Sequence, residues 1–304
     1  MTTIFEQLEP RSVKLPQGVV EYREAGAGPP VVLLHGLLVD GALWRHVVPL
    51  LAADFRVIVP ELPLGCHRVP LENDVPLAPP DVARLVADLL AALDLHDITL
   101  VGNDTGGAIS QLVVAEHPER IARLVLTPCD AYENFLPLAF RPLQWLAHVP
   151  AAFGGALRTM RLRPLRHSPL AYGWLMRRPD EDLLDRWVRA ALADRRVRRD
   201  ACKVLRGISN HQTLAAAERL RAHGLPLLIA WAPEDRFFKL RYAQRLADEI
   251  PGARLERIED ALTFVPVDQP QRTAELIAAF ARDAVAARAG SPSTSRSDEP
   301  SKLA

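Results

Sequence analysis

The sequence is poor in the features that mark secreted, metal-binding or membrane proteins. Its 304 residues include only three cysteines, which lie far apart and show no Cys-x-x-Cys spacing, so neither a disulfide framework nor a thiolate metal site is indicated. No apolar run approaches the length that crosses a bilayer, and the first residues lack the basic and apolar regions of a signal peptide. We therefore expect a cytoplasmic protein with no membrane association, no metal and no cofactor.

The positive and negative residues of the chain are equal in number, but they are unevenly distributed along it. The formal net charge is zero, yet residues 141–206 carry fourteen arginines and one lysine with only six acidic residues. Such a stretch usually marks a solvated surface that also pairs with acidic neighbours, and an anionic substrate or partner is the alternative. No nucleic-acid-binding motif accompanies the basic residues, so we expect no nucleic acid partner.

The apolar pattern indicates a single α/β domain with an insertion. A chain of this length, 49% hydrophobic, can bury a large core. Strand-like runs alternate with helical periodicity, which predicts a mostly parallel, doubly wound sheet. After an opening hairpin, the predicted strands are 31–34, 55–60, 98–101, 123–127, 226–231 and 253–258. Helices are predicted at 41–52, 81–95 and 270–287, and another ends near residue 117.

This alternation of strands and helices breaks after the predicted strand 123–127. From about residue 135 to 213 only helical segments interrupted by prolines are indicated, and we interpret them as a helical cap. The core is then 1–134 and 214–287, and the low-complexity segment 288–304 is expected to be disordered. The candidates for the inner face of the cap are Trp145, Phe153, Tyr172, Trp174, Leu175 and Trp187.

The segment Ile98-Thr99-Leu100-Val101-Gly102-Asn103-Asp104-Thr105-Gly106-Gly107 predicts a strand, a sharp turn and a helix. Gly102 and Gly106 lack the Cβ atoms that would clash where the chain reverses. The side chain of Asp104, between them, should therefore point into the open space above the sheet edge.

Three motifs in this order resemble the α/β-hydrolase superfamily: His35-Gly36 after a buried strand, the turn at Asp104, and Trp231-Ala232-Pro233-Glu234-Asp235 after a later strand. In that family the turn is the nucleophile elbow, usually Gly-x-Ser-x-Gly. An Asp in the Ser position is similar to haloalkane dehalogenases and epoxide hydrolases. The resemblance implies the α/β-hydrolase fold, with a cap over the carboxyl ends of the strands.

The resemblance also implies roles for individual residues. Asp104 would be the nucleophile or an acid–base group, and Asp235 the acid of the catalytic triad. The backbone N–H groups of Leu37 and Thr105 would form the oxyanion hole. Asp130 follows the preceding strand, where some dehalogenase-like members carry their acid.

The histidine of the family triad is missing. In Asp260-Ala261-Leu262-Thr263-Phe264-Val265-Pro266, Thr263 occupies the family's His position, and no histidine follows His223. An Asp nucleophile, expected to be ionised at neutral pH, can still attack carbon. The alkyl ester that forms needs a general base to activate water, and a threonine hydroxyl titrates far too high to serve.

Other residues could contribute to such a site. His67 and His211 are expected near the same sheet edge and are candidates for a relocated base, although each is more simply a surface or hydrogen-bonded histidine. His35 should brace the oxyanion loop through its ring N–H. Tyr172 is the only tyrosine in the cap span, whereas epoxide hydrolases use cap tyrosines. Thr105 stands where dehalogenases place a halide-binding Trp.

Two classes of function remain open. The first is a hydrolase that acts on a mainly apolar small molecule through Asp104, with a variant in which Asp104 serves a non-hydrolytic step such as elimination or cyclisation. The second is a ligand-binding protein on a hydrolase scaffold that has lost catalysis.

Overall fold

One eight-stranded sheet carries the core of the protein. The computed structural model describes residues 3–169 and 171–289, the last six of these by their backbone alone. The strands are β1 Arg11–Leu15, β2 Gly18–Ala25, β3 Pro30–Leu34, β4 Arg56–Pro60, β5 Ile98–Asp104, β6 Ile121–Cys129, β7 Leu227–Trp231 and β8 Arg254–Arg257. Their order across the sheet is β1-β2-β4-β3-β5-β6-β7-β8. The strand β2 is antiparallel to both β1 and β4, and every pair from β4 to β8 is parallel.

Helices cover this sheet and fill the insertion between β6 and β7. The first five are α1 Ile4–Gln7, α2 Val48–Leu51, α3 Pro79–Ala92, α4 Thr105–Glu116 and α5 Arg141–Leu146. The others are α6 Pro150–Thr159, α7 Arg163–Arg166, α8 Glu181–Ala193, α9 Arg195–Gly207, α10 Asn210–His223, α11 Leu240–Glu249, α12 Val265–Asp268 and α13 Pro270–Ala289. No helix in the described part of the chain is both long and apolar enough to cross a membrane.

The predicted α/β fold is confirmed by this architecture. Strands β3, β5 and β6 are almost entirely buried, as a parallel strand covered on both faces requires. Their carboxyl ends meet at one edge of the sheet, and ligands bind at this edge in open α/β sheets. The order of the strands therefore brings the ends of β3, β5, β6 and β7 to one place.

Several local predictions are wrong. The helix predicted at 41–52 is instead a 3₁₀ turn, Gly41–Trp44, followed by α2, because Pro49 lacks the N–H that a continuous helix would need. Helix α11 was not predicted. Trp145 and Trp174 are 70% and 38% exposed, so they do not form an inner face of the insertion.

The domain limits predicted from the sequence stay a prediction. Residue 213 falls inside α10, which packs against α4 of the core, so the helix itself spans the proposed boundary. The predicted tail lies outside the described residues from 290 onward, and α13 still includes 288–289.

A buried carboxylate ties the insertion to the sheet. Asp40, in the loop after β3, accepts hydrogen bonds from the Ala42 N–H at 3.0 Å and from Trp187 Nε1 of α8 at 2.9 Å. Its second oxygen pairs with Arg186 of the same helix. These contacts hold α8 over the loop that carries Leu37.

Candidate active site

The turn between β5 and α4 holds Asp104 in a strained backbone conformation. Asp104 is the last residue of β5 and the N-cap of α4, with φ 55° and ψ −134°. Positive φ is costly for a residue with a side chain and occurs mainly where surrounding structure enforces it. A Cβ at Gly102 would lie 2.5 Å from the Gly106 carbonyl oxygen, and one at Gly106 would lie 2.4 Å from the His35 carbonyl oxygen. Only glycine fits at these two positions.

The two oxygens of the Asp104 carboxylate have different surroundings. Oδ1 accepts a hydrogen bond from the Thr105 N–H at 2.7 Å and lies 3.3 Å from the Thr105 hydroxyl. Oδ2 has no hydrogen bond within the described residues, and it lies so close to Gly36 that a Cβ there would be 2.4 Å away. One oxygen is therefore held by the backbone while the other is available to react.

Burial changes the acidity of Asp104. Loss of solvation and, to a smaller extent, the nearby Asp235 charge raise its pKa to about 7, against the hydrogen bonds from Thr105 that lower it. These surroundings oppose the ionised form of the carboxylate, and its ionisation at neutral pH stays a prediction.

An apolar cavity lies over Asp104. Its empty volume, including the space open to solvent, is about 690 Å³. Its lining, apart from Asp104 and the Tyr172 hydroxyl, consists of apolar side chains: Leu37, Leu38, Leu136, Phe140, Leu143, Ala156, Leu157, Met160, Ala171, Leu175 and Phe238.

Thr263 and Asp235 lie side by side beneath this turn. The Thr263 hydroxyl donates to Asp235 Oδ2 at 2.7 Å, and the N–H groups of Phe237 and Phe238 donate to Oδ1 at 2.7 Å each. Burial raises the pKa of Asp235 to about 6. The Thr263 carbonyl accepts from Asn103 Nδ2 at 2.8 Å, which links this pair directly to the residue before Asp104.

Asp130 is the third buried carboxylate of the group. Its Oδ2 lies 3.4 Å from the Thr105 hydroxyl, and its Oδ1 has no hydrogen-bond partner among the residues that the structure describes. Burial raises the pKa of Asp130 well above its usual range, and the Asp104 charge adds to that effect. A single hydroxyl proton cannot serve both Asp104 and Asp130, so a protonated Asp130 satisfies this arrangement best.

The other predicted residues are placed as follows. The His35 ring bridges the oxyanion loop: Nε2 accepts from the Leu62 N–H at 2.9 Å and Nδ1 lies 3.0 Å from the Gly36 carbonyl. Burial lowers the His35 pKa to about 4, so the ring is neutral. Tyr172 reaches into the cavity, but its hydroxyl donates to the Leu38 carbonyl at 2.7 Å.

Neither candidate for a relocated base reaches Asp104. His67 is buried against Asp200 of α9, with Nε2 3.3 Å from the carboxylate, and it does not line the cavity. His211 is exposed at the start of α10, in a surface cleft beside α4. Both therefore fit the simpler interpretation, a hydrogen-bonded histidine for His67 and a surface histidine for His211, because β4 ends in a loop that α9 covers and α10 turns His211 outward.

The N–H groups predicted to form the oxyanion hole lie at the ends of β3 and β5. That of Thr105 is occupied by Asp104 Oδ1, whereas that of Leu37 has no acceptor within the described residues. The cavity wall contributed by Ala156, Leu157 and Met160 was not predicted, because helical periodicity does not say which face of α6 meets a cavity. No cluster of potential metal ligands occurs in the described part of the chain.

Comparison with known proteins places the chain in a family. The family model for the alpha/beta hydrolase fold matches residues 29–270. The chain belongs to the α/β-hydrolase family. An uncharacterized protein of Mycobacterium tuberculosis is 28% identical over 284 residues, covering 85% of this chain and 77% of its own.

Other relatives include haloalkane dehalogenases. Haloalkane dehalogenase 1 of M. tuberculosis is 41% identical over 117 residues, which is 36% of each chain. The crystal structure of a haloalkane dehalogenase from Bradyrhizobium elkani superimposes with a TM-score of 0.77 at 20% identity, covering 92% of this chain and 99% of that one. A thermophilic esterase from Thermogutta terrifontis gives a TM-score of 0.72 at 22% identity over 91% of this α/β hydrolase and 99% of its own chain. These two structures share the fold.

Proposed function

We propose that this α/β hydrolase acts on apolar small molecules, with Asp104 as the nucleophile of an elbow like that of haloalkane dehalogenases. The observation that carries the proposal is that the two carboxylate oxygens of Asp104 have different surroundings. Oδ1 is held by the Thr105 N–H, while Oδ2 has no hydrogen bond and belongs to the wall of an apolar cavity. A nucleophile held in this way loses little entropy when it attacks.

The first chemical step would transfer the substrate carbon to the protein. Asp104 Oδ2 attacks a carbon that bears a leaving group, a C–O bond forms, and the electron pair of the broken bond departs with the leaving group. The apolar lining favours a substrate that is mainly hydrocarbon around that carbon. The product is an alkyl ester of Asp104.

The second step would require water to attack the ester carbon of Asp104. The ester carbonyl oxygen would be Oδ1. The N–H groups of Thr105 and Leu37 would donate hydrogen bonds to it and stabilise the negative charge that develops there. At the family's base position the Thr263 hydroxyl donates to Asp235 and cannot take a proton from water. We infer that hydrolysis is slow and that the ester accumulates.

Intact-protein mass spectrometry tests this proposal directly. The protein is incubated with a series of 1-haloalkanes and terminal epoxides, and the mass increase is assigned by peptide mapping. We expect a stoichiometric adduct at Asp104 that is absent in Asp104→Asn, whose amide is a poor nucleophile. The absence of both an adduct and a released alcohol or diol product, with every one of these electrophiles, would contradict the nucleophilic role.

A ligand-binding protein without catalysis is the second candidate. The apolar cavity over Asp104 and the threonine at the predicted base position, whose hydroxyl donates to Asp235, support it. This candidate predicts reversible binding of apolar ligands with equal affinity in the protein and in Asp104→Asn, and no covalent adduct. Tryptophan fluorescence provides the binding signal, because the Trp187 ring is tilted against the ring of the cavity-lining Tyr172, with centroids 5.6 Å apart.

A further inference from the structure

A second concave surface lies on the opposite side of α6 from the Asp104 cavity. It is a wide groove with about 1330 Å³ of empty space, formed between α6 and α9. We call it the arginine groove. Its lining is Pro150, Ala151, Gly154, Arg158, Arg195, Arg196, Arg198 and Arg199. Five of these eight residues are arginines, and none is acidic.

Two of the five arginines have carboxylate partners. Arg196 pairs with Asp194 at 2.8 Å, and Arg199 pairs with the buried Asp200 at 2.8 Å. No such partner occurs for the other three within residues 3–169 and 171–283, namely Arg158, Arg195 and Arg198. The groove therefore keeps uncompensated positive charge, in contrast to a solvated surface whose charges pair with their neighbours.

One of these guanidinium groups is held in place at the base of the groove. Arg198 is only 9% exposed, and its Nη1 donates to the Leu192 carbonyl at 3.0 Å. A Cβ at Gly154 would lie 3.5 Å from Arg198 Nε and 4.0 Å from Arg158 Nη1, so both cations border the same space. Burial and the charges of Arg158 and Arg195 lower the pKa of Arg198. An anion between these groups would remove that repulsion.

The start of α6 adds backbone donors to the same groove. The helix begins at Pro150 without a side-chain cap, and Ala151 lines the groove. The first N–H groups of a helix have no acceptor within the helix and carry partial positive charge, a setting that suits phosphate. Guanidinium groups bind phosphoryl oxygens in pairs.

We propose that the arginine groove is a binding site for a soluble phosphoanion carrying at least two negative charges, such as the phosphate or diphosphate group of a small molecule. The site is separate from the Asp104 cavity. Helix α6 is the wall between them, because Ala156, Leu157 and Met160 of the same helix line that cavity. Occupation of the groove therefore does not depend on the chemistry of Asp104.

Calorimetric titration with inorganic pyrophosphate at constant ionic strength tests the proposal. We expect saturable binding that weakens at least about tenfold in Arg158→Gln/Arg195→Gln, which removes two exposed, unpaired cations of the groove. The matched control is Arg221→Gln/Arg257→Gln, which removes the same charge from exposed residues of α10 and β8. Gly154→Asp, which places a carboxylate beside Arg198, should also abolish binding. Asp104→Asn should bind as the unchanged protein does.

Further measurements separate the sources of the phosphoryl group. Vesicles of phosphatidylcholine with and without phosphatidate are sedimented with the same variants. One outcome would overturn a soluble ligand in favour of a lipid headgroup. In that outcome the protein sediments only with phosphatidate vesicles, the groove variant does not sediment, and pyrophosphate does not bind. Equally weakened pyrophosphate binding in the groove and control variants would overturn the proposed site altogether, because the net charge of the protein would then account for the binding.

Discussion

The Thr263 hydroxyl lies 2.7 Å from Asp235 Oδ2 and donates to it. The sequence predicts that Thr263 occupies the position of the family's catalytic histidine. A histidine there would direct its second ring nitrogen toward the ester of the nucleophile. Threonine keeps the hydrogen bond to Asp235, but its side chain carries a single polar atom and so has no second group that could face the ester. Asp235, the predicted acid of the triad, is thereby kept in place by Thr263, which has no second ring nitrogen to offer as a base.

Substituting Thr263→His should restore turnover of the ester. A general base contributes about 10² to 10⁴ in rate, so esterified Asp104 should release product at a correspondingly higher rate. The measurement is product formation over many turnovers, with intact mass showing loss of the adduct. Thr263→Ser, which keeps the hydroxyl, is the control. A folded Thr263→His protein with an undiminished adduct would show that more than the base is missing.

The rate of adduct formation should depend on pH around neutrality. Burial raises the Asp104 pKa to about 7, and only the ionised form attacks. Below this value the rate should fall about tenfold per pH unit, and above it the rate should reach a plateau. The measurement is the initial rate of adduct formation between pH 5 and 9. A rate that is flat from pH 5 upward would mean that Asp104 titrates near its ordinary value.

Gly36→Ala should abolish adduct formation. The new Cβ would lie 2.4 Å from Asp104 Oδ2, so the carboxylate must leave the position in which Oδ2 is available. We expect at least about a hundredfold slower reaction, because small misplacements of a nucleophile are costly. Gly155→Ala is the matched control, since a Cβ there meets nothing within 4 Å. Equal rates in the two variants would show that Gly36 does not position Asp104.

The strands and the turn at Asp104 could be predicted from the sequence because both depend on the local pattern of residues. The run from Ile98 to Asp104 predicts its own strand, and the glycines on either side predict where Asp104 points. The place of Thr263 near Asp235 is implied by the resemblance to the family pattern, in which Phe264 and Pro270 keep the register. The positions of His67 and His211 do not, because they depend on how α9 and α10 pack on the core. Long-range packing of this kind leaves no periodic signal in a single sequence.

Tyr172→Phe should separate two classes of substrate. The Tyr172 hydroxyl donates to the Leu38 carbonyl at 2.7 Å, and its loss should reduce the free energy of unfolding by about 1 kcal/mol. If the same hydroxyl turns to donate a proton to an epoxide oxygen, adduct formation from epoxides should fall about 10²-fold while that from haloalkanes stays unchanged. The measurement is the ratio of the two rates in the variant, compared with the ratio in the unchanged protein. Equal slowing of both substrates would assign Tyr172 to the shape of the cavity, because a change in packing affects every apolar substrate.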